Sequence, residues 1–355
     1  MKLTEIDQNF QLKTAITEPD IVWLDIKKTP FAISGIFYEE GRGFLRMPQQ
    51  TAEQVSEGVA GLNADTAGGR VRFRTDSPFI AIEAQMAVQD LMPHFTRLGQ
   101  SGFDLYRKTE GQPCYLASFM PPTLMKEGYS ASVAADGELA EYTVNFPLYD
   151  RVSELYIALK RDAVLEAPAP YRNEKPVVFY GSSITQGGCA SRPGNSYPAI
   201  LSRRLHMEYV NLGFSGSGKA EPAMRRYLAQ LPMAAFVCDY DHNAPDADYL
   251  QKTHLPLYRA VREAQPLLPI IFMTSTDVLL RGGVWRERRE IIRRTYETAL
   301  AEGDQNVYFI DGEALFAGEG WDGCTVDGCH PNDLGFYRMA MGLEGTLEKV
   351  LGCRE

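Results

Sequence analysis

The chain has 355 residues, of which 45% are hydrophobic and 23% charged, so it is long enough for two globular domains. Its formal net charge of −10 argues against nucleic acid or an anionic membrane as a partner, because both bind cationic surfaces. The first ten residues lack the apolar core of a secretory signal, and no apolar run is long enough to span a membrane. These features predict a cytoplasmic location.

The first half of the chain has the hydrophobic pattern of short β-strands. Alternating or continuous apolar runs occur at residues 69–74, 79–83, 141–146 and 155–159. Gly, Pro, Asn and Asp separate these runs at short intervals, and no long helical pattern competes with them. The pattern predicts an antiparallel β-sandwich of jelly-roll type over residues 1–165.

The hydrophobic pattern changes after a proline-rich linker, which we place at residues 166–175. Apolar runs then alternate with helical segments. The predicted strands cover residues 177–180, 209–214, 234–239, 270–274 and 307–310. The predicted helices cover residues 197–207, 220–230, 253–264, 285–302 and 334–351. This alternation predicts a parallel sheet between two helical layers, an α/β/α domain over residues 176–355.

Residues suited to acyl transfer follow several of these predicted strands. Ligands bind beyond the carboxyl ends of the strands in an open parallel sheet. Ser183 needs a base to become a nucleophile, and His330 can serve, with Asp327 orienting its imidazole. The backbone N–H groups of Ser183 and Gly216 and the side-chain amide of Asn243 can stabilise an oxyanion. Each residue alone is also common in a turn or helix cap, but their shared location favours a catalytic site.

These residues resemble the four marker residues of the SGNH hydrolase superfamily, also called GDSL esterases. The family's Ser, Gly and Asn match Ser183 in GSSIT, Gly216 in FSGSG and Asn243 in DHNA. Its D-x-x-H block matches Asp327 and His330 in DGCH. Two of these blocks differ from the family at three neighbouring positions, because Gly-Asp-Ser reads Gly-Ser-Ser here and Gly-x-Asn-Asp reads Asp-His-Asn-Ala.

The segment GFDLY at residues 102–106 resembles the GxDLY domain that precedes a subset of these hydrolases. The resemblance implies an N-terminal β-sandwich followed by an α/β/α hydrolase that needs no cofactor and no metal. It also implies a serine esterase or acylhydrolase acting on small O-acyl esters, with acetyl as the expected acyl group and carbohydrate esters among the candidate substrates. A homo-oligomer is compatible with the sequence. Four aromatic residues are candidates for stacking on a sugar ring: Tyr38, Phe44, Tyr106 and Trp321.

Three other interpretations remain at this stage. Cys324, Cys329 and His330 lie close together and could suggest zinc, although the chain has no C-x-x-C pair and one loop cannot supply four ligands. The segment GFSGSGKA at residues 213–220 nearly matches a nucleotide-binding P-loop, but Ala220 lacks the hydroxyl that would coordinate Mg²⁺. A carbohydrate-binding protein with weak or lost catalysis is the third alternative.

Overall fold

The computed structural model describes residues 14–352, so the N-terminal segment compared with a secretory signal and Cys353 lie outside the described residues. Strands dominate the first half. They are β1 (Ile21–Asp25), β2 (Ala32–Ser34), β3 (Phe37–Glu39), β4 (Gly43–Leu45), β5 (Arg70–Thr75), β6 (Phe79–Ala87), β7 (Phe103–Lys108), β8 (Cys114–Phe119), β9 (Gly128–Ala134), β10 (Ala140–Asn145), β11 (Arg151–Lys160) and β12 (Leu165–Glu166). The short helices of this half are α1 (Gln49–Val55), α2 (Glu57–Leu62) and α3 (Arg97–Ser101).

The second half alternates strands with helices. The strands are β13 (Val177–Gly181), β14 (Tyr209–Gly213), β15 (Ala235–Asp239), β16 (Ile270–Met273) and β17 (Val307–Ile310). The helices are α4 (Ser183–Gln186), α5 (Tyr197–Leu205), α6 (Pro222–Gln230), α7 (Ala247–Ala264), α8 (Val278–Arg281), α9 (Val284–Ala301), α10 (Gly312–Phe316) and α11 (Asp333–Val350). None of the helices within residues 14–352 is long and apolar enough to cross a membrane.

The chain divides into two compact units. The first unit contains Met1–Arg46, Ala64–Pro170 and Arg192–Gly194, and the second contains Met47–Asn63, Tyr171–Ser191 and Asn195–Glu355. Helices α1 and α2 therefore belong to the second unit, although the sequence placed them within the N-terminal domain. The predicted limits of 1–165 and 176–355 otherwise remain predictions.

The first unit is a β-sandwich. One antiparallel sheet has the order β1-β11-β6-β9, and the other has the order β12-β5-β10-β7-β8, with β2 also paired to β5. A single apolar core receives side chains from both sheets, including Phe73 and Ile82. Successive side chains of a strand point to opposite faces of its sheet, so in β10 the alternate residues Tyr142 and Val144 are fully buried in the core. The antiparallel sandwich predicted from the sequence is confirmed.

The GFDLY segment forms the start of β7, and its two-residue period explains the motif. Phe103 and Leu105 enter the core. The side chain of Asp104, also fully buried, accepts hydrogen bonds from Asn145 Nδ2 (2.7 Å) and from the backbone N–H of Gly194 (2.8 Å). Tyr106 accepts a hydrogen bond from Arg192 through its hydroxyl (2.7 Å). The motif therefore binds the short segment Arg192–Gly194 into the first unit.

Two of the aromatic residues considered for sugar stacking are core residues. Phe44 and Tyr106 are 1% and 3% exposed, so the interpretation of their rings as stacking surfaces is wrong. Tyr38 is partly buried and donates to Glu154 (2.7 Å). Trp321 alone of the four is exposed, at 41%.

The second unit has a parallel sheet with the order β14-β13-β15-β16-β17. The chain starts in β13, moves outward to β14 and then returns to the other side, so the strand order reverses beside β13. Such a reversal opens a crevice at the carboxyl ends of the strands. Gly181 at the end of β13 aligns with Gly213 of β14 and Asp239 of β15. The loops after these three strands therefore start at one level of the sheet. The α/β/α domain predicted from the sequence is confirmed.

Candidate active site

Ser182 and Ser183 occupy the turn between β13 and α4, and they have different partners. Ser182 is fully buried and caps α4, accepting a hydrogen bond from the backbone N–H of Ile184 (3.2 Å). Ser183 is the first residue of the helix, and its Oγ lies 3.0 Å from Nε2 of His330. The side chain of Ser183, and not that of Ser182, therefore faces the histidine.

His330 and Asp327 lie in the loop before α11. His330 Nδ1 is 2.7 Å from Asp327 Oδ2, while Asp327 Oδ1 accepts from the backbone N–H groups of His330 (2.8 Å) and Cys329 (2.9 Å). Asn332 caps α11 through hydrogen bonds from Leu334 and Gly335, which fixes the end of this loop. The predicted Ser183, His330 and Asp327 therefore form one continuous hydrogen-bonded chain.

The charge of Asp327 is well stabilised. Burial disfavours the carboxylate, but the hydrogen bonds from the ring and backbone of His330 outweigh it and lower the pKa of Asp327 to about 2. An ionised carboxylate holds the hydrogen of the imidazole on Nδ1 and leaves Nε2 as the acceptor for the Ser183 hydroxyl.

Gly216 and Asn243 lie in the loops after β14 and β15. Gly216 has φ +65°, and a Cβ built on it would meet no other atom within 4 Å. Asn243 is 9% exposed, and its Nδ2 donates to the carbonyl of Phe214 (2.8 Å). That bond ties the two loops together and uses one of the two amide hydrogens. The other remains for a ligand.

A buried ionic cluster supports the Asn243 loop, and the sequence analysis missed it. His242 lies between two carboxylates, with Nδ1 3.3 Å from Asp241 Oδ1 and Nε2 3.2 Å from Asp277 Oδ1. Arg288, 6% exposed, donates to the carbonyls of Asp241, Ala244 (2.9 Å) and Pro245 (3.4 Å). No local signal could have revealed the partners, because Asp277 and Arg288 follow His242 by 35 and 46 positions.

The structure also bears on the alternatives. Among the described residues, Cys324 does not join Cys329 and His330 in a group of close metal-ligating atoms; its Sγ faces the carbonyl of Gly320 (3.5 Å). The P-loop-like segment follows β14, which is an edge strand, and the backbone N–H of Ala220 already donates to the hydroxyl of Tyr180 (2.7 Å).

Comparisons with known proteins agree with this architecture. Residues 174–348 match the model of the GDSL-like lipase/acylhydrolase family, and residues 21–165 match the model for the N-terminus of SGNH-hydrolase-type esterases. The chain belongs to the SGNH, or GDSL-like, hydrolase family. Its members are carboxylic ester hydrolases, and the family resemblance read from the sequence is confirmed.

Solved structures extend the likeness over both units. A GDSL-like lipase from Bacteroides ovatus is 29% identical, with a TM-score of 0.84 over 94% of this chain and 98% of that one. A salicylyl-acyltransferase from a tetracycline biosynthetic pathway is 20% identical, with a TM-score of 0.75 over 95% and 100% of the two chains. An acetyl xylan esterase from Butyrivibrio proteoclasticus is 14% identical, with a TM-score of 0.58 over 94% and 100%. A search of curated proteins gave no match.

Proposed function

We propose that this SGNH hydrolase is a serine esterase that cleaves small O-acyl esters through Ser183, His330 and Asp327. The observation that carries the proposal is the hydrogen-bonded chain from Ser183 Oγ through the His330 ring to Asp327, with distances of 3.0 and 2.7 Å. Two such contacts around one imidazole are the geometry that general-base activation of a serine requires.

The residues have the following roles in this mechanism. Ser183 Oγ attacks the acyl carbonyl carbon while its proton moves to His330 Nε2. Asp327 stabilises the imidazolium, and the N–H groups of Ser183 and Gly216 and the Asn243 amide stabilise the oxyanion. The tetrahedral intermediate expels the alcohol, which takes the proton from His330. Water then attacks the acyl-enzyme, with His330 again as base, and releases the acid.

The substrate class is proposed from similarity. The neighbouring acetyl xylan esterase supports acetyl esters of carbohydrates as substrates. The salicylyl-acyltransferase supports a second candidate, in which an alcohol instead of water accepts the acyl group from Ser183. Both use the same acyl-enzyme. The cytoplasmic location stays a prediction from the sequence.

The test is a comparison of wild type with Ser183→Ala and Ser182→Ala. The substrates are p-nitrophenyl esters of increasing chain length and acetylated xylo-oligosaccharides. Ser183→Ala should lower kcat by about 10³-fold or more. Ser182→Ala removes only a helix cap and should cost about 1 kcal/mol of stability while keeping most activity. EDTA should leave the rate unchanged.

The alternatives give different results. An active Ser183→Ala variant together with an inactive Ser182→Ala variant would show that Ser182, and not Ser183, is the nucleophile. A wild type that binds xylo-oligosaccharides without hydrolysing any ester would be a binding protein. Product esters formed when alcohols are added would identify an acyltransferase, and ATP binding detected by calorimetry would support the P-loop interpretation.

A further inference from the structure

The loop that carries Asn243 is fixed by buried charges. Arg288 of α9 directs its guanidinium at the carbonyls of Asp241, Ala244 and Pro245, which surround Asn243 on both sides in the chain. A hydrogen bond to a charged donor is worth more than one to a neutral donor. Helix α9 therefore holds the loop backbone.

A second anchor acts through the side chains of the loop. Asp241 Oδ2 accepts hydrogen bonds from the backbone N–H (2.9 Å) and the hydroxyl of Ser275, in the segment after β16. His242 lies between Asp241 and Asp277, and its side chain is 6% exposed. Nε2 forms a hydrogen bond with Asp277 (3.2 Å), whereas Nδ1 lies at ion-pair distance from Asp241 without hydrogen-bond geometry. A protonated ring places one positive charge beside both fully buried carboxylates, and a neutral ring would leave their negative charge uncompensated by the imidazole.

The surrounding charges support a charged ring. The groups that face His242 or its two carboxylates are Asp239, Arg281, Arg288, Tyr240, His254 and the thiols of Cys238 and Cys329. Burial alone would lower the pKa of His242, but Asp241 and Asp277 outweigh it and raise that pKa well above the ordinary value of 6.5. Burial and the nearby charge of Asp241 raise the pKa of Asp239.

We propose that His242 is a positioning residue, an imidazolium fixed between Asp241 and Asp277 that directs the free N–H of Asn243 towards the oxyanion. This inference rests on the proposed esterase function. Asn243 follows His242 directly in the chain, so a shift of the ring moves the amide. In an active site, a misplacement of about 1 Å can cost about 10²-fold in rate.

A bound metal is the rival explanation. His242, Asp277 and Cys329 offer ligand atoms that lie within 4.8 Å of one another, and nitrogen, carboxylate and thiolate ligands suit zinc. However, Nε of Arg281 is 3.3 Å from Asp277 Oδ2, so a cation already pairs with that carboxylate. We therefore assign the remaining positive charge of the cluster to the proton on His242.

The first test is a double-mutant cycle between the cluster and Asn243. His242→Gln and Asp277→Asn should each lower kcat about 10-fold or more and change KM by less than about threefold, because the oxyanion forms only in the transition state. In an Asn243→Ala background the same changes should lower kcat by no more than about twofold, since the group they position is gone. Asp277→Asn keeps the test available if His242→Gln does not fold.

A matched control separates positioning from general destabilisation. His254 is buried in the same domain, stacks on Tyr240 and makes no side-chain hydrogen bond. His254→Gln should lower the melting temperature without the loss of kcat. If the cluster variants lose kcat additively with Asn243→Ala, or lose only stability as His254→Gln does, His242 is structural and the inference is wrong.

The second test needs no activity. ¹⁵N-histidine NMR of wild type at about pH 8, above the ordinary histidine range, should show His242 protonated at both ring nitrogens. The Asn243 side-chain amide signal should shift in Asp277→Asn. A neutral His242, or Zn²⁺ binding that Cys329→Ser abolishes, overturns the inference. If wild type hydrolyses no ester, or does so independently of Ser183, the proposed function fails while the NMR result still decides the charge of His242.

Discussion

Ser182 and Ser183 show that adjacent serines can have entirely different environments. The two side chains are identical, but one is buried as a helix cap and the other faces His330 across 3.0 Å. Sequence motifs were sufficient to predict that Ser183, His330 and Asp327 would meet, because each follows a strand whose end lies at the same edge of the sheet. They were not sufficient for His242, whose partners depend on how β16 and α9 pack.

The lowered pKa of Asp327 predicts how stability and activity depend on pH. A pKa lowered to about 2 means that the carboxylate's contribution to stability is complete above its unfolded value of about 3.9 and is lost as the pH falls towards about 2. Asp327 is therefore ionised from about pH 4 to about pH 9. Above about pH 4 the carboxylate of Asp327 should therefore add no ionisation to the acid limb of kcat/KM, while the base, His330, must be neutral to accept the serine proton.

A steady-state pH profile of wild type and Asp327→Asn checks this prediction. The variant should keep its fold and lose about 10²-fold or more in kcat, because an amide does not hold the required tautomer. An ionisation of Asp327 above about pH 4 would contradict the charge assigned to it. A flat wild-type profile, with chemistry shown to limit the rate, would remove His330 from the role of base.

At the scale of elements, short apolar runs predicted the parallel strands to within one residue, because strands buried on both faces of a sheet read as continuous hydrophobic runs. Helix starts were harder to predict. Helix α7 begins at Ala247 and not at residue 253, since Asp246 caps it by accepting from the N–H of Tyr249 (2.7 Å). Helices α1 and α2 have 7 and 6 residues, too few for a clear period of 3.6.

The turn that carries Ser183 depends on a glycine in the neighbouring strand. A Cβ on Gly213 of β14 would overlap the backbone of Thr185 and Gln186 in α4, and Asn211 also donates to the carbonyl of Thr185 (2.7 Å). Gly213→Ala should therefore displace α4, cost about 1–3 kcal/mol and lower kcat. Urea unfolding and ester hydrolysis measure the two effects.

Gly61→Ala is the matched control for that substitution. Gly61 is exposed in α2, and a Cβ there would have open space, so the change should raise stability by up to about 1 kcal/mol and leave kcat unaltered. Wild-type activity in Gly213→Ala would show that α4 tolerates displacement.

At the scale of the whole molecule, the chain passes between the two units more than once. The segment Met47–Asn63 belongs to the second unit, and Met47, Ala52 and Val59 are fully buried in its core. Composition and periodicity separated the two kinds of fold correctly. They could not show that residues 47–63 belong to the second unit, because nothing in the sequence of this segment indicates which of the two units it packs into.

A fragment that begins at residue 171 should therefore be unstable. It lacks three core side chains, and burial of a Met or Val side chain contributes about 1.5–3 kcal/mol, against a total stability of about 5–15 kcal/mol. A second fragment, in which residues 47–63 are joined to residue 171 by a flexible linker, should have a higher midpoint in urea. Equal midpoints for the two fragments would show that α1 and α2 contribute nothing to this core.

The contact between Trp285 and His242, with ring centroids 4.8 Å apart, gives the protein an optical signal of its own. A charged imidazole against an indole quenches its fluorescence by accepting an electron from the excited ring. Trp23 and Trp321 are the other tryptophans of the chain, so subtracting the emission of Trp285→Phe isolates the signal of Trp285. That emission should be weak in wild type and brighten in Asp277→Asn as the ring loses its proton. The fluorescence of Trp285 then monitors the protonation of His242, beside Asn243, in the absence of any substrate.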